Sequence, residues 1–349
     1  MHSRTSVPLG PLTTLRIGGP ALRFLEVERE ADVVDAVRQA DGDLLPLFVL
    51  GEGSNVVVGD DGFAGVAAAM RLRGIDVRRD GERVVVDVAA GESWDGLVAR
   101  SVDEGWQGLE CLSGVPGLVG GTPIQNVGAY GQEVAETITR VRAFDRVAGV
   151  FVTMDRGACR FGYRASVFKR SDRWVVTGVR FELAVSPASA PIRYAELASA
   201  LGVRIGDRAP SRTTRATVIA LRRGKGMVMD PADPDTVSAG SFFVNPVVDA
   251  AALARVEERA GQRPPRFEAG DGRYKVAAAW LVERAGFPRG WTAGRVGVSS
   301  KHALALVNRG EATARELLAA ARQIRDGVRS GFGVDLEPEP VLVGCSWNE

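Results

Sequence analysis

Residues 110–131, ECLSGVPGLVGGTPIQNVGAYG, combine six glycines and two prolines with a single acidic side chain, Glu110, at the edge. A backbone without Cβ atoms can approach a ligand closely and turn successive N–H groups toward something flat or anionic. Gln125 and Asn126 add donors and acceptors, and Tyr130 adds a ring with a polar tip. The competing reading is a glycine-rich surface loop. Length and the apolar Leu112, Val115, Leu118, Val119, Ile124 and Val127 favour a ligand loop. Long loops inside domains are functional or disordered, and disordered ones lack apolar residues.

Four further stretches carry usable chemistry. Gly51-Glu52-Gly53-Ser54-Asn55 joins two short apolar runs and could seat a pyrophosphate on its N–H groups, although taken alone a tight β-turn is the plainer reading. No G-x-G-x-x-G opens a helix, so a dinucleotide would need a different architecture. Residues 160–169, RFGYRASVFK, interleave aromatic rings with three cations, and the Arg164 fork could grip a carboxylate or phosphate; the alternative is a solvated basic loop. Ser241, in SAGSFFVNP, offers a hydroxyl. Without a G-x-S-x-G elbow, and with His302 too isolated a partner, it does not read as a triad nucleophile. Glu337 and Glu339 alternate in an expected last strand, 334–344, and should share a face, as ordinary strand-edge charges also would.

The elements that must hold these residues follow from periodicity. Strands are expected at 22–27, 47–50 and 56–58, with a helix over 30–40 that puts Val33, Val34, Val37 and Ala40 on one face. From 63 to 185 the pattern is mostly strand: GVAAAM, RVVVDVAAG, RVRAFD, VFVTM and WVVTGVRFELAV. One helix at 93–104 interrupts it, with Ser93 as N-cap and Trp94, Leu97 and Val98 on its apolar face. Beyond Pro187 the composition shifts to helices at 194–201, 216–222, 249–261, 276–285 and 313–328. MDPADPD reads as the loop that opens a further domain.

Composition bounds the rest. A chain of 349 residues, 45% hydrophobic and 25% charged, is long enough for two or three domains. A net charge of +1 advertises neither nucleic acid nor membrane surface. Cys111, Cys159 and Cys345 form neither a disulfide framework nor metal-ligand spacing, and with only His2 and His302 no metal site is expected. No signal-peptide core and no membrane-spanning run is visible, so a cytoplasmic protein without membrane insertion is expected.

The stretches at 51–55, 113–131, 162–169, 240–246 and 336–339 occur in the order, and with the neighbours, of UDP-N-acetylenolpyruvoylglucosamine reductase, and the chain resembles that family of peptidoglycan-synthesis flavoenzymes over nearly its whole length. The resemblance implies an α+β fold, an FAD-binding fold of the vanillyl-alcohol-oxidase type with a C-terminal substrate-binding domain. It implies a small FAD-binding lobe at 1–71, a larger α+β domain at 72–230 rejoined by 334–349, and a substrate domain at 231–333. It also implies FAD held by Gly51, Glu52, Gly53, Ser54, Asn55, Ser113, Gly114, Val115, Pro116, Gly117, Gly121, Gln125, Asn126, Gly128 and Ala129. NADPH as reductant, UDP-N-acetylglucosamine enolpyruvate as substrate and a monomer follow in the same way.

By the same resemblance Arg164 would bind and polarise the substrate carboxylate, Glu339 would share that task, and Ser241 would donate a proton to the adjacent carbon. Tyr163, Tyr194, Arg222, Lys225 and Asn245 would hold the substrate. Two positions depart from the family: Val244 stands where many relatives carry lysine, and Pro340 follows Glu339. Pro340 lacks a backbone donor, so the N–H side at Glu339 is expected to be unpaired. A flavin oxidase on the same fold and an inert nucleotide-sugar binding protein are the alternatives; the Arg164, Ser241 and Glu339 set argues against both.

Overall fold

Alternation of period two sets the largest sheet. In the Arg83–Ala89 strand Val84, Val86 and Val88 are buried, while Arg83 and its alternates face outward, as a half-covered strand requires. The computed structural model, which describes residues 3–348, pairs this strand antiparallel with Trp174–Val185 and Ile75–Asp80. The sheet continues through Ile138–Asp145 to Val150–Asp155, in the order Val150–Asp155, Ile138–Asp145, Trp174–Val185, Arg83–Ala89, Ile75–Asp80, with the short Trp106–Gln107 strand also on Trp174–Val185. Its apolar face is covered by the Trp94–Asp103 helix, which buries Trp94, Leu97 and Val98. Each such side chain contributes about 1.5–3 kcal/mol on burial. The helix starts where expected: Ser93 Oγ accepts from the Gly96 N–H at 3.3 Å.

The chain divides into two units. The first contains Leu22–Glu52 and Ala64–Val228 with the leading segment to Val7; the second contains Pro8–Ala21, Gly53–Phe63 and everything from Met229. The boundary at 228/229 falls at the Pro/Asp-rich stretch that the sequence marks as a domain opening. In the first unit the Glu30–Gly42 helix buries Val33, Ala36, Val37 and Ala40 beside the parallel pair Leu47–Leu50 and Phe63–Met70.

The second unit has its own core. The Ala314–Phe332 helix buries Leu317, Leu318, Ala321, Ile324 and Val328 within it. Thr313 and Glu316 form a reciprocal cap at its start, and the Asp60 carboxylate accepts from the Ala314 N–H at 2.6 Å. Beside the pair formed by the end of the chain, two small sheets lie in this unit. One runs Ser238–Ser241, Ala305–Asn308, Val296–Val298, Thr292–Ala293, and the other Val247–Val248, Tyr274–Val276, Arg266–Glu268. The expectation of helices between Pro187 and the last strand is therefore incomplete. These strands are two to four residues long, too short for alternation to stand out from neighbouring helical patterns.

The end of the chain also differs from expectation. The strand is Val341–Val343, shorter than 334–344, and it pairs parallel with Val56–Val58 within the second unit. Upstream of it Glu337 is exposed and Glu339 half-buried, and neither lies in a strand. Pro338 and Pro340 lack N–H groups, which limits regular pairing to one isolated bridge, Phe243 to Pro338.

Candidate active site

In the first unit, residues 113–131 are folded by two short 3-10 turns, Glu110–Leu112 and Val119–Gly121. Glu110 is fully buried, and its carboxylate accepts from Gly108 N at 2.7 Å, Ala190 N at 2.5 Å and Gln132 Nε2 at 3.1 Å. Burying a charge this way is tolerable only because donors replace water. Ser113 is likewise buried, its Oγ donating to the Glu110 carbonyl at 2.6 Å.

The glycines of this loop divide by what surrounds them. A Cβ on Gly120 would stand 2.5 Å from the Ala90 Cβ, whereas one on Gly121 would meet nothing within 4 Å. Gly120 is a packing glycine and Gly121 an open one. Gly114, at φ +69°, donates its N–H to Asp95 Oδ1 at 2.6 Å, and Gly117 donates to Glu52 Oε2 at 2.9 Å.

Asn126 serves the protein itself. It is buried, with Nδ2 donating to Glu133 Oε2 at 2.7 Å and to the Gly162 carbonyl at 3.0 Å, and Oδ1 accepting from Ala135 N at 3.1 Å. Its amide thus clasps the glycine-rich loop to the 160–169 loop instead of facing outward, because buried amides are satisfied internally.

That clasp is one of three between the two loops. Ser166 Oγ donates to the Ile124 carbonyl at 2.6 Å, and Arg164 Nη2 donates to the Gly128 carbonyl at 3.0 Å. Arg164 lies at φ +51°, a backbone region unusual for a residue with a side chain, and Lys169 Nζ donates to its carbonyl at 2.9 Å. A Cβ on Gly128 would stand 3.2 Å from Arg164 Nη1. The missing side chain at 128 is what lets the guanidinium lie there, beside the exposed ring of Tyr163 at 5.6 Å.

Three of the expected substrate residues also gather in this unit. The Tyr194 ring meets Tyr130 edge-on with centroids 5.4 Å apart, and Lys225 Nζ lies 5.6 Å from the Tyr130 ring centroid while donating to Glu196 Oε2 at 2.5 Å. Burial pushes the Tyr130 phenol up to about 12, so it stays neutral. Arg222 donates through Nη2 to the Met227 carbonyl at 2.9 Å, and its buried Nε has no hydrogen-bond partner among the described residues. Burial holds its pKa below the ordinary guanidinium range.

Ser241 and Glu339 lie in the second unit, Arg164 in the first. Phe242 N donates to the Leu304 carbonyl at 2.7 Å, Glu339 N donates to the Phe242 carbonyl at 2.8 Å, and Val244 N donates to the Glu337 carbonyl at 3.1 Å. The expectation of an unpaired N–H at Glu339 is therefore wrong. The donor missing at Pro340 is its own, and the next N–H, of Val341, reaches the Asn55 carbonyl at 3.0 Å. Phe242 and Phe243 each lie 6.2 Å from the Trp347 ring. Asn245 Oδ1 accepts from Ala278 N at 2.9 Å and so fastens the start of the Ala278–Arg284 helix. Nothing in the structure explains Val244. In the 51–55 turn, Gly53 at φ +64° is obligatory: a Cβ there would fall 2.2 Å from the Leu12 carbonyl oxygen.

These residues fit a flavin dinucleotide. The open Gly121, the positive-φ backbone at Gly114 and Gly117, and the orphaned Nε–H of Arg222 leave room and an uncommitted donor for a flat or anionic group, while the N–H groups of these three glycines are taken up internally. Val115, Pro116, Gln125 and Ala129 are at least half-exposed or intermediate along the same loop, as are Gly51, Glu52, Ser54 and Asn55 in the other turn.

Sequence reasoning missed Asp95 and Arg215. Arg215 forks onto Asp95 at 2.6 and 2.8 Å across 120 positions of chain. Arg215 precedes Arg222 by two helical turns, which was the available signal; its partner had none. His2 lies outside the described residues. Among the described residues no helix is long and apolar enough to cross a membrane.

Comparison with known proteins bears on these loops. A family model described as UDP-N-acetylenolpyruvoylglucosamine reductase, C-terminal domain, matches residues 231–343, and one described as FAD binding domain matches 21–155. The chain is 53% identical over 352 residues to the UDP-N-acetylenolpyruvoylglucosamine reductase of Salinispora arenicola, covering 99% of this chain and 97% of that one. It is 51% identical to the Thermobifida fusca enzyme of the same name, covering 98% of each. The crystal structure of the Thermus caldophilus reductase superposes with a TM-score of 0.66 at 25% identity, covering 98% of both chains.

Proposed function

The chain belongs to the UDP-N-acetylenolpyruvoylglucosamine reductase family, an oxidoreductase family of peptidoglycan synthesis with an FAD-binding domain, and from that premise we propose that it reduces UDP-N-acetylglucosamine enolpyruvate to UDP-N-acetylmuramate with NADPH, as a cytoplasmic monomer. In this reading bound FAD would supply the hydride-transfer chemistry between NADPH and the enolpyruvyl methylene carbon. The turns at 51–55 and 113–117, with Gly121, Gln125, Gly128 and Ala129, would hold it.

The remaining work falls to side chains. Arg164 binds the substrate carboxylate where negative charge grows. Glu339 hydrogen-bonds at the same place. Ser241 gives its proton to the carbon bearing the carboxylate, so that hydride and proton together saturate the double bond; a carbanion-like centre is basic enough for a hydroxyl donor. Tyr163, Tyr194, Arg222, Lys225 and Asn245 orient the nucleotide sugar. A domain division at 71/72, 230/231 and 333/334 belongs to the same reading.

The observation that supports it is the backbone pairing of Phe242 with Glu339, which puts the residue after Ser241 directly against Glu339. The test is the visible spectrum of the purified protein, followed anaerobically. Flavin bands that bleach with NADPH and return with the enolpyruvyl substrate carry the proposal. A protein that cannot take up FAD overturns it, and reoxidation by air alone would favour an oxidase.

A further inference from the structure

Resting on that flavin-reductase reading, we propose that Asp95 and Arg215 are positioning residues: their ion pair clamps the 113–117 turn against the helix bearing Arg222 and thereby couples cofactor binding to nucleotide-diphosphate binding.

Asp95 is the second residue of the Trp94–Asp103 helix. Its Oδ1 accepts from the Gly114 N–H and from Arg215 Nη1, both at 2.6 Å, and its Oδ2 accepts from Arg215 Nη2 at 2.8 Å. One carboxylate thus holds a cofactor-loop amide and a two-pronged guanidinium at once. The pair is partly shielded, with the Arg215 side chain 18% exposed, and forked geometry of this kind resists the screening that empties ordinary surface pairs.

Arg215 and Arg222 lie on the Ser211–Gly224 helix. Seven residues are two turns, so both side chains leave one face. Gly114 meets that face twice. Its N–H is bound through Asp95 to Arg215, and its missing Cβ would lie 3.5 Å from Arg222 Nε, the buried donor with no partner. A shift of the turn therefore moves the surroundings of Arg222, and a ligand drawn to Arg222 acts back on the turn. Coupling of this kind is reciprocal by thermodynamic necessity.

Three proteins test the clamp: Asp95→Asn, Arg215→Gln and the double variant. In Asp95→Asn an amide oxygen at the Oδ1 position still accepts from Gly114 and Arg215 Nη1, while the amide NH2 at the Oδ2 position faces the Nη2 donor, so the Arg215 fork loses one prong and its charge partner. The double variant sets amide against amide and restores a neutral hydrogen bond. FAD affinity is read by flavin fluorescence on the full-length apoprotein, and uridine diphosphate affinity by calorimetry with and without FAD.

Each single variant should weaken FAD by roughly tenfold and bring the ratio of the two uridine diphosphate affinities toward one, with partial recovery in the double variant. Single variants that melt earlier yet keep both the FAD affinity and the ratio would reduce the pair to a structural contact and overturn the proposal. A wild-type ratio of one would overturn it as well. A wild-type protein that takes up no FAD would sink the flavin reading and the clamp together. Should Asp95→Asn fail to fold, Arg215→Lys, which keeps the charge and loses the fork, serves in its place.

Discussion

The Glu339 N–H donates to the carbonyl of Phe242 at 2.8 Å, so Ser241 and Glu339 are positioned by one backbone pairing rather than by two independent loops. Trp347 braces both rings that follow Ser241. A change that loosens this pairing should disturb the hydroxyl and the carboxylate together.

Replacing Ser241 by alanine should separate the two halves of the proposed reaction. Flavin reduction by NADPH should stay near normal, while reoxidation by the enolpyruvyl substrate should slow by about 10²–10⁴-fold, the usual contribution of a positioned acid. Anaerobic stopped-flow spectroscopy of each half reads this out. Equal losses in both would remove Ser241 from the proton-donor role.

Gly128→Ala puts a methyl group 3.2 Å from Arg164 Nη1 and 3.1 Å from the Gln132 carbonyl oxygen. The guanidinium can give way more easily than the backbone, so stability should fall by about 1–3 kcal/mol while turnover falls much further. Thermal melting compared with kcat on the same preparation decides the matter; an active, destabilised enzyme would place Arg164 away from the reacting atoms.

Adjacent glycines should behave differently. Gly120→Ala collides with Ala90 at 2.5 Å and should cost several kcal/mol in denaturant unfolding, whereas Gly121→Ala enters open space and should leave the melting temperature unchanged. If a ligand approaches the backbone closely at 121, the second variant should instead weaken FAD uptake. Unaltered uptake would remove Gly121 from the cofactor surface.

Acid should reach Asp145 late in the folded protein. Arg173 beside it holds its carboxyl down to about 2 from an ordinary 3.8, against the opposing effect of burial and with help from the Ala148 and Val147 N–H groups. A folded-state value below the unfolded one gives stability that is complete above the unfolded value and disappears as pH falls through the folded value. Between about pH 4 and 2 the wild type should therefore lose stability that Asp145→Asn has already lost at neutral pH. Melting curves across that window should be flatter for the variant.

Much of this was legible in the residues. The Trp174–Val185 and Leu47–Leu50 strands were visible as alternating or continuous apolar runs, and the Ser93 cap as a hydroxyl before Trp94. The glycine-rich turns were visible because glycine marks where backbone must approach something. What sequence could not distinguish was the purpose of each polar residue within them: Asn126 reads as a ligand donor and makes an internal clasp, while Asp95 reads as a charge in a first helical turn and holds the Gly114 backbone. Such roles depend on partners that only the fold brings near. The same holds for Glu339, whose neighbour Phe242 lies almost a hundred positions earlier in the chain, roughly as far as a small domain is long.

The parallel pairing of Val341–Val343 with Val56–Val58 also has a bearing on biosynthesis. The first unit has all its chain once Val228 leaves the ribosome, but the second needs residues from near both extremes of the polypeptide. At translation rates of roughly 5–20 residues per second, the three valines at 56–58, all buried in the finished protein, spend on the order of tens of seconds without their partner strand. During that interval they form an apolar strand edge open to other nascent chains, so yield in rapid overexpression should depend on chaperone supply more than on the stability of the completed enzyme.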